Sequence, residues 1–450
     1  MANILLTTVC NRACSYCFAK EKMTQKPHQE MSMENVEKVI AFLKRSNLPV
    51  FRMMGGEPTL HSRFPEIVMK VLEEGFRIDL LSNALWNKDH AILFENISPE
   101  YLNFLLNIDH PSTYSKQQWT RIGENLARLK DRKENSLSFN IFENPPRADY
   151  VFELATRYEI NSIRLSFSMP IIGPIRNAYL ELEEYPLLAQ WVIDFAKKGE
   201  SLNLKVGLDN TVPLCMFTKE QIGELVLLGT VDPQKNFQCC PVVDIGPDLS
   251  IWRCFGTSEI FNAHLDDFNT LEEAWEYFEE KFDKYQYKLF PLPECNGCKY
   301  ANNGKCQGGC IGYTILRMRD EFSDTEDLNG DGLLARHLRL APTTQVKHFQ
   351  FPKPTIILSR KGRSRNVAVS PEIWSLLSNL NGNMTVADVI EISSNDSLSL
   401  STDDPVDCFI MNQTKNAYYP WVKKLLKHGF LEEPATQDIS ANVLKKGRKP

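Results

Sequence analysis

No apolar run in this chain is long enough to span a bilayer, and Met1 to Thr8 carry no basic stretch followed by a cleavage site. Neither a membrane-spanning helix nor a secretory signal is therefore expected. An excess of positive charge is also lacking. Lys and Arg number 51 against 57 Asp and Glu, a net charge of −6, which gives no electrostatic footprint for nucleic acid or an anionic membrane. No internal repeat is visible, so a repeat architecture is not expected. The expected setting is the cytoplasm, with neither nucleic acid nor membrane as partner.

At 450 residues the chain exceeds one compact core and implies two or three domains. Hydrophobic residues at 43% and charged residues at 24% fit a soluble globular protein. Cysteine is plentiful, at twelve. In a reducing cytosol these are poor disulfide candidates, which leaves metal ligation or catalysis. They are unevenly spread: Cys10, Cys14 and Cys17 near the start, eight from Cys215 to Cys310, and Cys408 alone.

Up to about residue 200, short β-rich apolar runs (4–8, 50–54, 77–82, 101–108, 136–142, 162–168) alternate with stretches of helical periodicity such as 33–43, 64–74 and 117–133. This predicts an α/β fold, a parallel sheet with helical crossovers curved into a partial (β/α)6 barrel over 1–200. In such folds chemistry gathers where strands end. The cysteine triplet, Gly55-Gly56-Glu57 and Asn83 fall there, after the first, second and third strands. Residues 201–320 lose the rhythm and read as a small domain organised by ligation. Residues 321–345 read as a linker, 346–435 as a third unit with strands at 355–359 and 366–369, and 436–450 as a basic tail.

Cys10-x3-Cys14-x2-Cys17, with Tyr16 before the third thiol and Phe18 after it, can bind three corners of a cubane cluster. No fourth thiol is near, so one iron stays open to a chelating ligand; a zinc site would call for further ligands. The triplet together with Gly55-Gly56-Glu57-Pro58 resembles the radical SAM superfamily. The resemblance implies that Cys10, Cys14 and Cys17 hold a catalytic [4Fe–4S] cluster. S-adenosyl-L-methionine would chelate the open iron and yield a 5′-deoxyadenosyl radical. By the same resemblance Gly55, Gly56 and Glu57 hold its ammonium group, with Glu57 supplying charge. Tyr16 lies against the adenine, Asn83 lines the pocket, and Asn107 and Arg121 contact ribose and carboxylate. The pattern at Asp109-His110-Pro111 departs from the usual one.

Among the later cysteines, Cys295, Cys298, Cys306 and Cys310 form a dense loop, preceded by Cys215, Cys239, Cys240 and Cys254. Eight thiolates match two four-ligand clusters, with a zinc ribbon as the alternative. The pattern resembles the SPASM auxiliary-cluster domain. That resemblance puts Cys240, Cys254 and Cys310 on one cluster, joined by Cys215 or Cys239, and Cys295, Cys298 and Cys306 on a second. It implies one or two auxiliary clusters. Leu249 stands where Gly is usual, and the second cluster's fourth ligand stays open between Cys239, Asp320, Asp324 or none. Asp327, Asn329 and Asp331 resemble the start of a calcium loop, but Leu338 occupies the twelfth position, so a polar turn is expected.

In 346–435, Ser370 as N-cap and Pro371 after it start a helix; Asn381-Gly382 reads as a turn before a helix near Thr385; a last helix is closed by Gly429. This winged-helix-like unit resembles the peptide-chaperone domain of pyrroloquinoline quinone biosynthesis. It implies a leader peptide pairing with the strand near 354–359, with Arg360, Lys361 and Arg363 drawing acidic residues. The alternative is a capping domain. The expected function is modification of a ribosomally made precursor peptide by crosslinking or epimerisation, with a reductase, flavodoxin or ferredoxin as electron donor. Two alternatives are sulfatase-maturase-type oxidation of a Cys or Ser, disfavoured by Phe255, and electron transfer or redox sensing without catalysis. The last has no need of a Gly-Gly-Glu turn.

Overall fold

The computed structural model describes residues 2–132, 134–173, 175–295, 297–323, 336–350, 354–360, 366–395 and 419–434. The chain divides into two compact units, Met1–Glu279 and Glu280–Pro450.

In the first unit, strands β1 (Asn3–Leu5), β2 (Val50–Met54), β3 (Arg77–Ser82), β4 (Leu102–Asn107), β5 (Ser136–Ile141), β6 (Ser162–Phe167) and β7 (Lys205–Leu208) lie side by side in chain order, all parallel. Helices provide the crossovers: α1 (Lys20–Thr24), α2 (Met33–Arg45), α3 (Phe64–Glu73), α4 (Lys88–Glu95), α5 (Lys116–Ala127), α6 (Asp149–Arg157) and α7 (Tyr185–Ser201). The helices start where local chemistry sets them. Ser32 caps α2 by accepting from Asn35 N–H at 3.1 Å, and Ser115 with Gln118 forms a capping box on α5. Val36, Val39, Ile40 and Leu43 then bury one face of α2 at helical spacing.

The strands alternate. Leu102, Phe104 and Leu106 of β4 are buried, whereas Asn103, Leu105 and Asn107 are half-exposed. The half-exposed face carries Asn107 and, on β5, Asn140, so polar side chains reach the strand ends where the site forms.

Helix α8 (Lys219–Leu227) follows β7. Strand β8 (Asp244–Ile245) then pairs parallel with the free side of β1, and β9 (Ser250–Trp252) and β10 (Ala263–His264) continue antiparallel. The sheet therefore has ten strands and extends past the six read from the sequence. The first compact unit accordingly runs to Glu279, beyond the boundary expected at 200. A two-residue strand such as β8 has no periodicity to reveal it. Helix α9 (Leu271–Asp283) spans the division.

The second unit contains α10 (Lys299–Asn302) and α11 (Ile311–Ser323), then two three-stranded sheets. One is built from β12 (Thr344–Phe349), β13 (Thr355–Arg360) and β14 (Val367–Val369). The other consists of β15 (Asn381–Thr385), β11 (His337–Leu340) and β16 (Leu431–Glu432), all antiparallel. Strand β11 and the first two residues of β12 fall in the stretch 321–345 expected to be a linker. Asn381-Gly382, expected as a turn, lies in β15, because Asn381 pairs with Arg339 of β11. Helices α12 (Pro371–Ser378), α13 (Val386–Asn395) and α14 (Tyr419–Lys427) complete the unit. Ser370 caps α12, and Gly429, at φ +71°, follows the end of α14.

Candidate active site

The loop after β1 carries Cys10, Cys14 and Cys17 and is clamped on two sides. Gly56 N–H donates to Thr7 O and Glu57 N–H to Val9 O, both at 2.8 Å. Opposite, Thr8 N–H donates to Gln29 O at 2.9 Å, and Gln29 N–H donates to Thr8 Oγ1 at 2.9 Å. The approach of the Gly55-Gly56 turn requires glycine. A Cβ on Gly55 would lie 2.7 Å from Thr7 O, and one on Gly56 only 2.3 Å from Val9 O. Beneath the loop, Leu5, Ala19, Met54, Trp252 and Phe255 form a buried cluster on which Cys17 packs.

Glu57 is fully buried. Its Oε1 accepts from Thr59 Oγ1 (2.7 Å), Ser82 Oγ (2.7 Å) and Thr59 N–H (3.4 Å), and its Oε2 from Asn83 N–H (2.9 Å). Burial raises its pKa, against which these donors hold it down. The carboxylate thus ties the second loop to the third. Asn83 is fixed by that bond and donates from Nδ2 to Asn11 Oδ1 at 2.7 Å, which reaches back to the cysteine loop.

Beside the cysteine loop lies a cavity of about 410 Å³ at the ends of β4 and β5. Tyr16 stacks on Phe142 at 4.8 Å, and its hydroxyl accepts from Asn107 Nδ2 at 2.9 Å. Asn140 Nδ2 in turn donates to Asn107 Oδ1 at 2.5 Å. Asp109 is the hub. One oxygen accepts from the Tyr16 hydroxyl, and the other from Arg12 Nη2 at 2.9 Å and from the Cys14 thiol at 3.3 Å. Arg12 also donates to Thr113 O and Oγ1, each at 2.9 Å, and its guanidinium lies 3.9 Å over the Tyr114 ring. Arg12, Asp109, Asn140 and Phe142 were missed in the sequence. Arg12 sits inside the cysteine motif, and the unusual pattern around Asp109 was the available signal.

The thiols sit in an environment that disfavours their ionised form without a cation. Burial, with the neighbouring Glu57 and Cys17, pushes Cys10 up to about 11. Burial, then the Asp109 carboxylate, pushes Cys14 up to about 12. Burial also raises Cys17. Three such thiols on one short loop suit a cationic iron centre that would take them as thiolates. Among the described residues no three His, Cys, Asp or Glu side chains converge as on a single metal ion. Arg121 is not brought to this site: it is exposed on α5 and does not line the cavity.

Residues 4–141 match the Radical SAM superfamily. The chain carries a radical SAM domain. Over 83 residues it is 34% identical to an S-adenosylmethionine-dependent nucleotide dehydratase of Selenomonas ruminantium, covering 18% of this chain and 29% of that protein. Over 137 residues it is 24% identical to a probable GTP 3′,8-cyclase of Methanococcus maripaludis, covering 30% and 45%. The chain thus spans less than half the length of these two relatives. Its fold is similar to the crystal structure of Streptococcus suis SuiB bound to S-adenosylmethionine. The TM-score is 0.51 at 13% identity, over 70% of this chain and 73% of that one. SuiB has also been crystallised with its precursor peptide SuiA; that structure matches at TM-score 0.50 and 13% identity, covering 70% and 72%. The radical SAM domain here takes in β1 through β5, and with them the cysteine loop, the Gly-Gly-Glu turn, Asn83, Asn107 and Asp109.

Of the later cysteines, Cys215 (exposed, in the turn Leu214–Met216), Cys239, Cys240 and Cys254 belong to the first unit. Cys295, Cys298, Cys306 and Cys310 belong to the second, where Gly308 N–H donates to Cys306 Sγ at 3.3 Å and Gly312 N–H to Cys310 Sγ at 3.4 Å. Leu249 adopts φ +64°, the left-handed conformation that glycine takes most easily, so the backbone shape is kept without the glycine. Asp320 lies on α11; Asp324, Cys408 and the 327–332 run lie outside the described residues. Among the described residues no helix is long and apolar enough to cross a membrane.

Proposed function

We propose that this protein is a radical S-adenosylmethionine enzyme that modifies a ribosomally made peptide. The observation that carries the radical part is the meeting of three half-buried, cation-demanding thiols, a glycine turn and an aromatic, amide-lined cavity at the ends of one parallel sheet. Cys10, Cys14 and Cys17 would hold the [4Fe–4S] cluster, and the Gly55–Gly56 backbone would meet the methionyl end of S-adenosylmethionine. The Tyr16–Phe142 face and the carboxamides of Asn107 and Asn140 suit a flat, polar-edged ring. When bound, the cluster and S-adenosylmethionine together supply one-electron reductive cleavage and a carbon radical able to take hydrogen from a substrate. The chain's own part is to orient and to exclude water. Glu57 fixes the second and third loops, and Asp109 locks Arg12 and Tyr16 against the end of β4. A low-potential flavodoxin or ferredoxin would deliver the electron.

The peptide part draws support from the fold shared with SuiB, which binds a precursor peptide. Strand addition in the second unit cannot use β13 as expected from the sequence. Strand β13 is the middle strand, paired along its length with β12 and over 356–358 with β14. The edge of β12 is the better template for an extended peptide. Arg360 is already engaged, donating to Gly429 O and to Thr343 Oγ1, so it is not an acceptor-seeking surface charge. Lys361 and Arg363 lie outside the described residues.

The test is anaerobic reconstitution with iron and sulfide, followed by dithionite and S-adenosylmethionine. Wild type should form 5′-deoxyadenosine. A Cys10→Ala, Cys14→Ala, Cys17→Ala triple variant should lose about four irons per chain and all product. Product from that variant would overturn the assignment. Coexpression with short peptides encoded beside the gene, read for lost hydrogen mass or deuterium uptake, tests the substrate class.

A further inference from the structure

Away from the cavity, the segment before β8 is joined to the end of β9 by one buried side chain. Arg253 is fully buried. Its Nη2 donates to Cys239 O at 2.7 Å, while Nη1 lies 3.6 Å from Cys239 Sγ and 3.9 Å from Cys254 Sγ. Its own carbonyl accepts from Val242 N–H at 3.1 Å and Val243 N–H at 2.9 Å. Cys239, 14 residues upstream, and the adjacent Cys254 are thereby gathered on one guanidinium. The exposed Cys240 follows Cys239 in sequence, and Thr257 Oγ1 lies 3.8 Å from Cys254 Sγ.

A guanidinium is costly to desolvate and is retained where it meets concentrated negative charge. Cysteine sulfurs are weak acceptors when protonated and far stronger ones as thiolates. The donor set therefore suits an anionic sulfur centre, and the fork of an arginine reaches two sulfurs and a carbonyl at once. We propose that Cys239 and Cys254 are ligands of one auxiliary iron–sulfur cluster, and that Arg253 is its buried counter-charge. Its N–H···S bonds raise the reduction potential of that cluster. This rests on the auxiliary-cluster reading of the later cysteines. It selects Cys239 as a ligand where the sequence left Cys239 and Cys215 open, and it gives a role to a residue no cysteine motif includes. Hydrogen bonds to cluster sulfurs, with net charge and solvent exposure, set such potentials. Removing a buried cation and two donors favours the oxidised state.

The experiment uses the full-length chain reconstituted anaerobically, with iron and sulfide analysis and a mediator-buffered redox titration followed by electron paramagnetic resonance. The proteins are wild type, Cys239→Ala, Arg253→Gln and Arg253→Lys. Cys239→Ala should lose about four irons. Arg253→Gln should keep its iron, and one auxiliary signal should show at least a tenfold lower reduced-to-oxidised ratio at fixed potential. That is a midpoint lower by about 59 mV for a one-electron couple. Arg253→Lys, which keeps the charge but not the fork, should fall by less. If only the Lys variant folds, an unshifted midpoint in it overturns the role of Arg253. Full iron in Cys239→Ala overturns the ligand assignment. Wild type holding only about four irons would instead remove the auxiliary-cluster reading and this inference with it.

Discussion

Gly56→Ala isolates what the close approach of two loops contributes to the site. The added Cβ would lie 2.3 Å from Val9 O and 2.6 Å from Met23 Sδ. The thioether can swing aside, but the carbonyl belongs to backbone held by Glu57 N–H at 2.8 Å. Real Cβ contacts essentially never fall below 3.0 Å, so the two loops must separate by most of an ångström or more. Overpacking of this kind costs about 1–3 kcal/mol. For a unit of this size each kcal/mol lowers Tm by roughly 2–4 °C. Because Val9 precedes Cys10, the displacement passes straight into the cysteine loop. A misplacement near 1 Å in a reacting assembly costs on the order of 100-fold in rate. Differential scanning calorimetry and 5′-deoxyadenosine formation measure the two effects. Gly223→Ala serves as the contrast. It lies inside α8 with nothing within 4 Å of an added Cβ, so it should be neutral or up to about 1 kcal/mol stabilising. Equal stability and equal product formation in Gly56→Ala and wild type would refute the claim that glycine is needed for the approach.

Glu57→Gln replaces one acceptor oxygen by an NH2 group facing donors from Thr59, Ser82 or Asn83. A loss of about 1–3 kcal/mol is expected in thermal unfolding, with weaker S-adenosylmethionine binding by equilibrium dialysis and unchanged iron. Unaltered stability would show that the four bonds are not formed. Burial pushes Asp244 up to about 7, against an unfolded value near 4. The folded state therefore holds the proton more tightly, so stability falls as pH rises from about 4 to about 7, by about 4 kcal/mol in all. Asp244→Asn should flatten that dependence in urea denaturation and exceed wild type in stability at pH 8; a variant that tracks wild type across this range contradicts the shift. Asp109→Asn should weaken S-adenosylmethionine binding several-fold while leaving iron content intact, because Arg12 and Tyr16 lose their shared anion. Binding equal to wild type would remove Asp109 from the site.

The parallel strands β2 to β6, the helices between them, and the placement of Cys10, Cys14, Cys17 and Gly55-Gly56-Glu57 at successive strand ends are legible in the residues alone. These depend on short-range periodicity, capping and motif spacing, which a local reading captures. Tertiary structure decided what depends on neighbours far along the chain. Asn3 and Asp244 meet at 2.6 Å across 241 residues, which places β8 against β1 and carries the sheet past the expected boundary. Asp109 joins Arg12, Cys14 and Tyr16 only because β1 and β4 end at the same side of one sheet. Glu57 turned inward to Ser82 and Asn83 for the same reason, since a carboxylate closed off from water takes the donors around it. Arg121 shows the converse, as its helical position fixed its face but no long-range contact drew it to the site. Leu249 kept a glycine-like backbone because the turn into β9 demands it, and Arg253, next to Cys254 in sequence, met Cys239 through a fold of the chain that no local pattern encodes.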